Sequence, residues 1–129
     1  IFLGLQEKAD LARALASSDV LLNPSITEAF GNVTLEAMAC ALPVVAAEAT
    51  GATNLVRDGE TGVLVEPGDI DAFADALQAY AEQPALRERH GSAGLEFAKT
   101  QDWDRINSAV VRTYVRAIER RERLARIRG

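Results

Sequence analysis

Four short, unbroken apolar runs divide the first half of the chain, and what falls between them constrains the fold more than any other feature. The runs cover residues 1–3, 20–23, 43–47 and 62–65. Each is continuous rather than alternating, as expected of parallel strands covered on both faces. Helix-period segments separate them. Residues 6–17 carry Leu11 and Leu15 among several Ala, and residues 32–41 carry Val33, Leu35, Ala37 and Met38 before Pro43 stops the helix. A shorter helical turn is expected over 53–57, closed by Asp58-Gly59. Strand and helix alternating in this order specify an α/β fold with right-handed crossovers.

Beyond Val65 the pattern becomes helical throughout. Pro67-Gly68-Asp69 reads as a turn and an N-cap, followed by Ile70, Phe73, Ala74, Leu77 and Ala81 at helical spacing. Pro84 opens a second helix with Leu86, His90, Ala93 and Phe97 on one line, and a third begins near Asp102-Trp103-Asp104. With 48% apolar and 26% charged residues the 129-residue chain is globular and long enough for one core. No repeat or low-complexity linker interrupts it, so it reads as one structural unit.

Charge is divided along the chain. Residues 105–128 hold eight Arg against Glu119 and Glu122, a net of +6, and the rest of the chain sums to −11. The acidic body argues against nucleic acid as a partner, because phosphate neutralisation needs a basic face. The Arg-rich helix is either a solvated face or a contact with an anionic lipid surface. No apolar run approaches the length of a membrane span. A single Cys, Cys40, excludes an intrachain disulfide, and one Cys with one His excludes a His/Cys metal site. Two Asp-x-Asp pairs, at 69–71 and 102–104, spell a pattern used elsewhere to hold divalent cations. Both stand where helices begin, and capping accounts for them. His90 lies on an apolar stripe and is expected to be packed rather than basic in function.

The informative stretch is residues 23–43. A buried strand ends at Asn23, a polar loop follows, and a helix starts near Gly31. In an open α/β sheet the strand's carboxyl end is where ligands bind. A helix N-terminus offers unpaired N–H groups and partial positive charge, which suit a phosphate. Gly31 lets a ligand approach the backbone, and the carboxylates of Glu28 and Glu36 can accept hydrogen bonds from hydroxyls. The combination points to a sugar phosphate or nucleotide sugar; an ordinary strand–loop–helix with surface Glu residues is the alternative.

These residues resemble a known family. Ser25-x-x-Glu28, Phe30-Gly31, Glu36-Ala37-Met38-Ala39 and Leu42-Pro43-Val44-Val45 are similar to the signature of family 4 retaining glycosyltransferases of GT-B architecture, whose hallmark is two Glu separated by seven residues. The resemblance continues through Gly51, the Val56-Arg57-Asp58-Gly59-x-x-Gly62-Val63-Leu64-Val65 run and Pro67-Gly68-Asp69, to Trp103 and Tyr114. It implies a Rossmann-like three-layer parallel sheet, incomplete at about four strands, with a C-terminal run of helices. Residues 1–129 would be the C-terminal part of a nucleotide-sugar-binding domain, with residues 105–128 its basic last helix.

By the same resemblance, Glu28 is the catalytic carboxylate, accepting from donor-sugar hydroxyls. The N–H groups of Phe30, Gly31 and Asn32 hold sugar and phosphate. Thr34 adds a hydroxyl to the phosphate, and Glu36 binds the ribose hydroxyls. Val33, Thr34 and Leu35 line the nucleotide pocket. The implied activity is hexosyl transfer with retention from a nucleoside diphosphate sugar, with no metal and no other cofactor. The acceptor is a glycan or lipid held by a domain absent from this chain, so the fragment is expected to be inactive alone. The expected location is cytoplasmic, with peripheral contact at the membrane's inner face through the Arg-rich helix. Two departures stand out: Ala41 where the family has Gly, and Asn54 where it has an acidic residue. A non-catalytic nucleotide-sugar-binding or interaction module is the competing reading. A phosphorylase or epimerase is disfavoured by the Glu pair and by having only Lys8 and Lys99.

Overall fold

The computed structural model describes residues 1–27, 29–49 and 51–128; the side chains of Lys8, Trp103, Glu122 and residues 125–128 lie outside that description. The chain forms two compact units, Ile1–Lys99 and Thr100–Gly129. The first contains α1 (Lys8–Ala16), β1 (Leu21–Asn23), α2 (Asn32–Ala39), β2 (Val44–Ala47), a single 3-10 turn (Ala52–Asn54), β3 (Gly62–Val65), α3 (Ile70–Glu82) and α4 (Pro84–Ala98). The second consists of α5 (Trp103–Arg128) and the residues leading into it.

The sheet is parallel throughout, in the order β1-β2-β3, with Leu21 opposite Val44 and Val44 opposite Gly62. Three of the four expected strands therefore form. Residues 1–3 are the exception: they join no described strand, and Ile1 and Phe2 are fully exposed. An apolar run becomes a strand only when a neighbour accepts its backbone groups and packs its side chains. Coverage on both faces holds for β2, whose four residues are all buried. It fails at β1, where Leu22 is exposed; β1 is an edge with no partner on its outer side among the described residues.

Alternation along β2 sorts the core into layers. Val44 and Ala46 join Met38 of α2, with Ala52 of the 3-10 turn, Leu55 and Val56 just after it, and Phe97 of α4 packed alongside. Val45 points the other way, against Val65, Ala76 and Tyr80, with Phe73 and Leu77 of α3 around them. Helices on both faces of a parallel sheet make this a three-layer, Rossmann-like α/β unit. A smaller cluster of Leu15, Ala37 and Leu42 fastens α1 to α2.

Close backbone approach sets where α4 lies. A Cβ on Gly91 would stand 2.1 Å from the Ala41 carbonyl oxygen, so only glycine lets α4 settle onto the end of α2. Ala41 itself closes α2 in the left-handed region, at φ 59°. The Ala41 N–H donates to the Met38 carbonyl at 2.9 Å and the Leu42 N–H to the Ala37 carbonyl at 3.0 Å. That bond pair is the usual helix stop built on a glycine, here carried by alanine.

Candidate functional site

The candidate site is built where β1 stops and α2 starts. The Asn23 side chain links the two: its amide Nδ2 donates to Thr34 Oγ1 at 3.2 Å, and its Oδ1 accepts from the Ser25 N–H at 3.2 Å. One Asn thus turns the chain after the strand and ties that strand to the first turn of the helix. Thr34 is fully buried beneath α2.

Gly31 precedes the helix at φ 90°, ψ 43°, a left-handed conformation open to glycine, and it is buried. Its carbonyl accepts the first helical bond, from the Leu35 N–H at 3.0 Å. Among the described residues no side chain caps α2, and its first turn holds no acidic residue. The opening N–H groups and the positive end of the helix dipole therefore stay available to an anion. Phe30 and Asn32 are both exposed at this entrance.

Glu36 lies one turn further along, on the same side of α2 as Asn32. It is exposed and borders a groove of about 430 Å³ between α1 and α2, lined also by Leu11, Ala12, Leu15, Ala39 and Cys40. The structure therefore brings Gly31, Asn32 and Glu36 together along one helix. Glu28, expected as the catalytic carboxylate, lies outside the described residues. Val33, Thr34 and Leu35 were expected to line the nucleotide pocket, with Thr34 adding a hydroxyl to the phosphate. Val33 is half-buried, Thr34 accepts from Asn23 in the interior, and Leu35 packs against the core cluster under α2. Sequence reasoning missed the α1 wall of the groove and the Asn23 link. An Asn at a strand's carboxyl end immediately before Pro was the available signal for the latter.

The remaining candidates resolve into structural roles. Asp69 Oδ1 accepts from the Ala72 N–H at 2.9 Å, and Asp102 Oδ1 from the Asp104 N–H at 2.7 Å, so the first carboxylate of each Asp-x-Asp pair is engaged at a helix start. His90 is 3% exposed. Its Nδ1 meets the Tyr80 hydroxyl at 2.8 Å, with the rings edge-on at 5.7 Å, and its Nε2 is buried as well. Burial, aided by Arg89, holds the imidazole below its ordinary pKa; the Gly59 backbone and Asp58 act weakly the other way. Burial, with Asp58, pushes the Tyr80 hydroxyl up to about 12. Asn54 lies in the 3-10 turn, exposed.

The description "Glycosyl transferases group 1" belongs to the family model that matches residues 1–83. The phosphatidyl-myo-inositol mannosyltransferase of Mycobacterium leprae is 44% identical over 114 residues, which are 88% of this chain and 30% of that protein. Sucrose-phosphate synthase from Thermosynechococcus elongatus superposes with a TM-score of 0.83 at 33% identity, covering 92% of this chain and 30% of that one. Anabaena HepE, solved in complex with UDP-glucose, gives a TM-score of 0.76 at 33% identity over 86% of this chain and 31% of its own. The chain thus spans about a third or less of the length of such relatives.

Proposed function

This chain belongs to the glycosyl transferases group 1 family, and from that premise we propose that it carries the nucleotide-sugar donor edge of a longer retaining hexosyltransferase. The observation that carries the reading is the exposed start of α2, uncapped among the described residues, with Glu36 one turn away on a groove. In this reading the N–H groups of Phe30, Gly31 and Asn32 hold donor hydroxyls and the nearby phosphate. Glu36 accepts from the ribose hydroxyls while the nucleoside lies along the α1–α2 groove. Thr34 acts from behind, holding the helix start to the strand through Asn23.

Glu28 keeps the catalytic role that the motif gives it. The bond between the sugar's anomeric carbon and the diphosphate breaks, a bond to an acceptor hydroxyl forms, and that hydroxyl's proton leaves with the diphosphate. Preorganised N–H groups stabilise the charge on the leaving group, which is the work a metal performs elsewhere. Support for transfer without a metal comes from the two Asp-x-Asp pairs, each of which commits a carboxylate to a helix start. Complex formation by HepE with UDP-glucose supports a nucleoside diphosphate hexose as donor. The name of the Mycobacterium leprae relative supports a lipid acceptor. With it go a cytoplasmic location and a peripheral place at the inner face of the membrane.

Calorimetric titration of the 129-residue chain with UDP-glucose and GDP-mannose tests the reading. One of the two donors binds, and Glu36→Ala weakens that binding by about tenfold or more, as expected for a charge-assisted hydrogen-bond acceptor. Equal affinity in the variant, with its helicity unchanged, overturns the assignment.

A further inference from the structure

We infer that Asn23 is a positioning residue for the donor site: its uncharged side-chain amide joins the loop after β1 and the first turn of α2 into one preset frame for the diphosphate. The inference rests on the donor reading above and goes further, assigning the arrangement of the site to a side chain outside the set that meets the donor. It draws only on bonds formed within residues 23–35.

Geometry carries it. Asn23 ends β1 in register with Ala46 of the fully buried β2, so the sheet fixes its backbone. Its half-buried side chain then reaches in two directions. Oδ1 accepts from the Ser25 N–H on one side of the loop, and Nδ2 donates to Thr34 Oγ1 on the other, each at 3.2 Å. Thr34 is completely buried and belongs to the opening turn of α2. Between these anchors stands Gly31 at φ 90°, the residue with the widest choice of backbone conformations. Left to itself, such a hinge lets the neighbouring N–H groups point in many directions. Fixing both flanks from one side chain removes that freedom before a ligand arrives, and preorganisation of this kind raises affinity.

The choice of Asn follows from charge. An Asp in its place would accept from the Ser25 N–H and from the Thr34 hydroxyl, keeping both bonds. It would also set a carboxylate behind the positive end of the α2 dipole and weaken the pull on phosphate. An apolar side chain would make neither bond. Asn makes both and leaves the helix start positive. The competing reading is that the two bonds only hold α2 on the sheet, which predicts equal loss for every ligand.

Paired titrations of the 129-residue chain, UDP against uridine and GDP against guanosine, separate the two. Asn23→Ala is expected to weaken the bound diphosphate about tenfold and to leave its nucleoside, which relies on Glu36 and the α1–α2 groove, within about twofold. Thr34→Val, which removes only the acceptor, repeats that result; Thr34→Ser, which keeps it, returns the parent ratio. Amide exchange reads the frame without any ligand: in Asn23→Ala the Ser25 and Leu35 amides exchange about tenfold faster together, and in Asn23→Asp they stay protected while diphosphate binding falls. Equal loss of diphosphate and nucleoside, an unchanged ratio in Asn23→Ala, or unchanged exchange at Ser25 and Leu35 overturns the inference. If those results appear while Glu36→Ala still weakens binding, the inference fails and the donor reading stands. A chain that binds neither diphosphate refutes the donor reading and the inference with it.

Discussion

Ala41 holds a left-handed conformation that its own Cβ opposes, while the bonds around it close α2. Relieving that contact with Ala41→Gly is expected to raise stability by about 1 kcal/mol, less the extra freedom glycine gives the unfolded chain. Urea unfolding reads this as a higher midpoint at unchanged slope; a lower midpoint refutes it. Two glycines of α4 give a paired experiment. Gly91→Ala drives a methyl group into the Ala41 carbonyl, with a Cβ distance of 2.1 Å, and should cost about 2–3 kcal/mol. At Gly94 the added Cβ would meet Met38 at 3.5 Å, an ordinary contact. Gly94→Ala should therefore stabilise by up to about 1 kcal/mol through helix propensity. Opposite signs three residues apart, measured in one denaturation series, are the expected result. The strain at Ala41 could be anticipated from the motif, because glycine is the residue such a helix stop favours. The Asn23–Thr34 bond could not, because a side-chain pairing eleven positions apart leaves no periodic trace.

At the level of elements, α3 and α4 are joined by the Tyr80–His90 pair at 2.8 Å. Burial lowers the His90 pKa, so between that value and about 6.5 the unfolded chain binds more protons than the folded one. Stability is thus complete above about pH 6.5 and declines as the pH falls below it. Tyr80 has the opposite sign at the alkaline end: its pKa of about 12 makes the fold lose stability as pH rises from about 10. His90→Gln should flatten the acid slope in urea midpoints collected from about pH 5 to 7, a range that includes the ordinary imidazole pKa of about 6.5. An unchanged slope would assign the acid sensitivity to the carboxylates. Helix boundaries were legible to within two residues wherever a cap or Pro marked them, as at Asp69 and Pro84. Residues 1–3 were misread because pairing depends on a neighbouring strand, which composition does not encode.

For the molecule as a whole, all three core clusters are drawn from residues 11–98. A chain ending at Lys99 should therefore fold by itself, keeping a cooperative unfolding transition; a molten, non-cooperative melt would count against this. The parallel direction of β1, β2 and β3 followed from strand–helix alternation, and the candidate site was placed from their carboxyl ends. What stayed hidden was the α1 wall of the groove, a tertiary juxtaposition of Leu11 and Leu15 with Glu36. One consequence of the sheet concerns handling in solution rather than chemistry. Along the outer side of β1 the backbone has no ladder partner among the described residues, and Leu22 is exposed beside it. Such an edge is a template for further strands. Concentrated samples should scatter light by edge-to-edge growth, and Leu22→Lys, which places a charge on that growth front, should keep them clear.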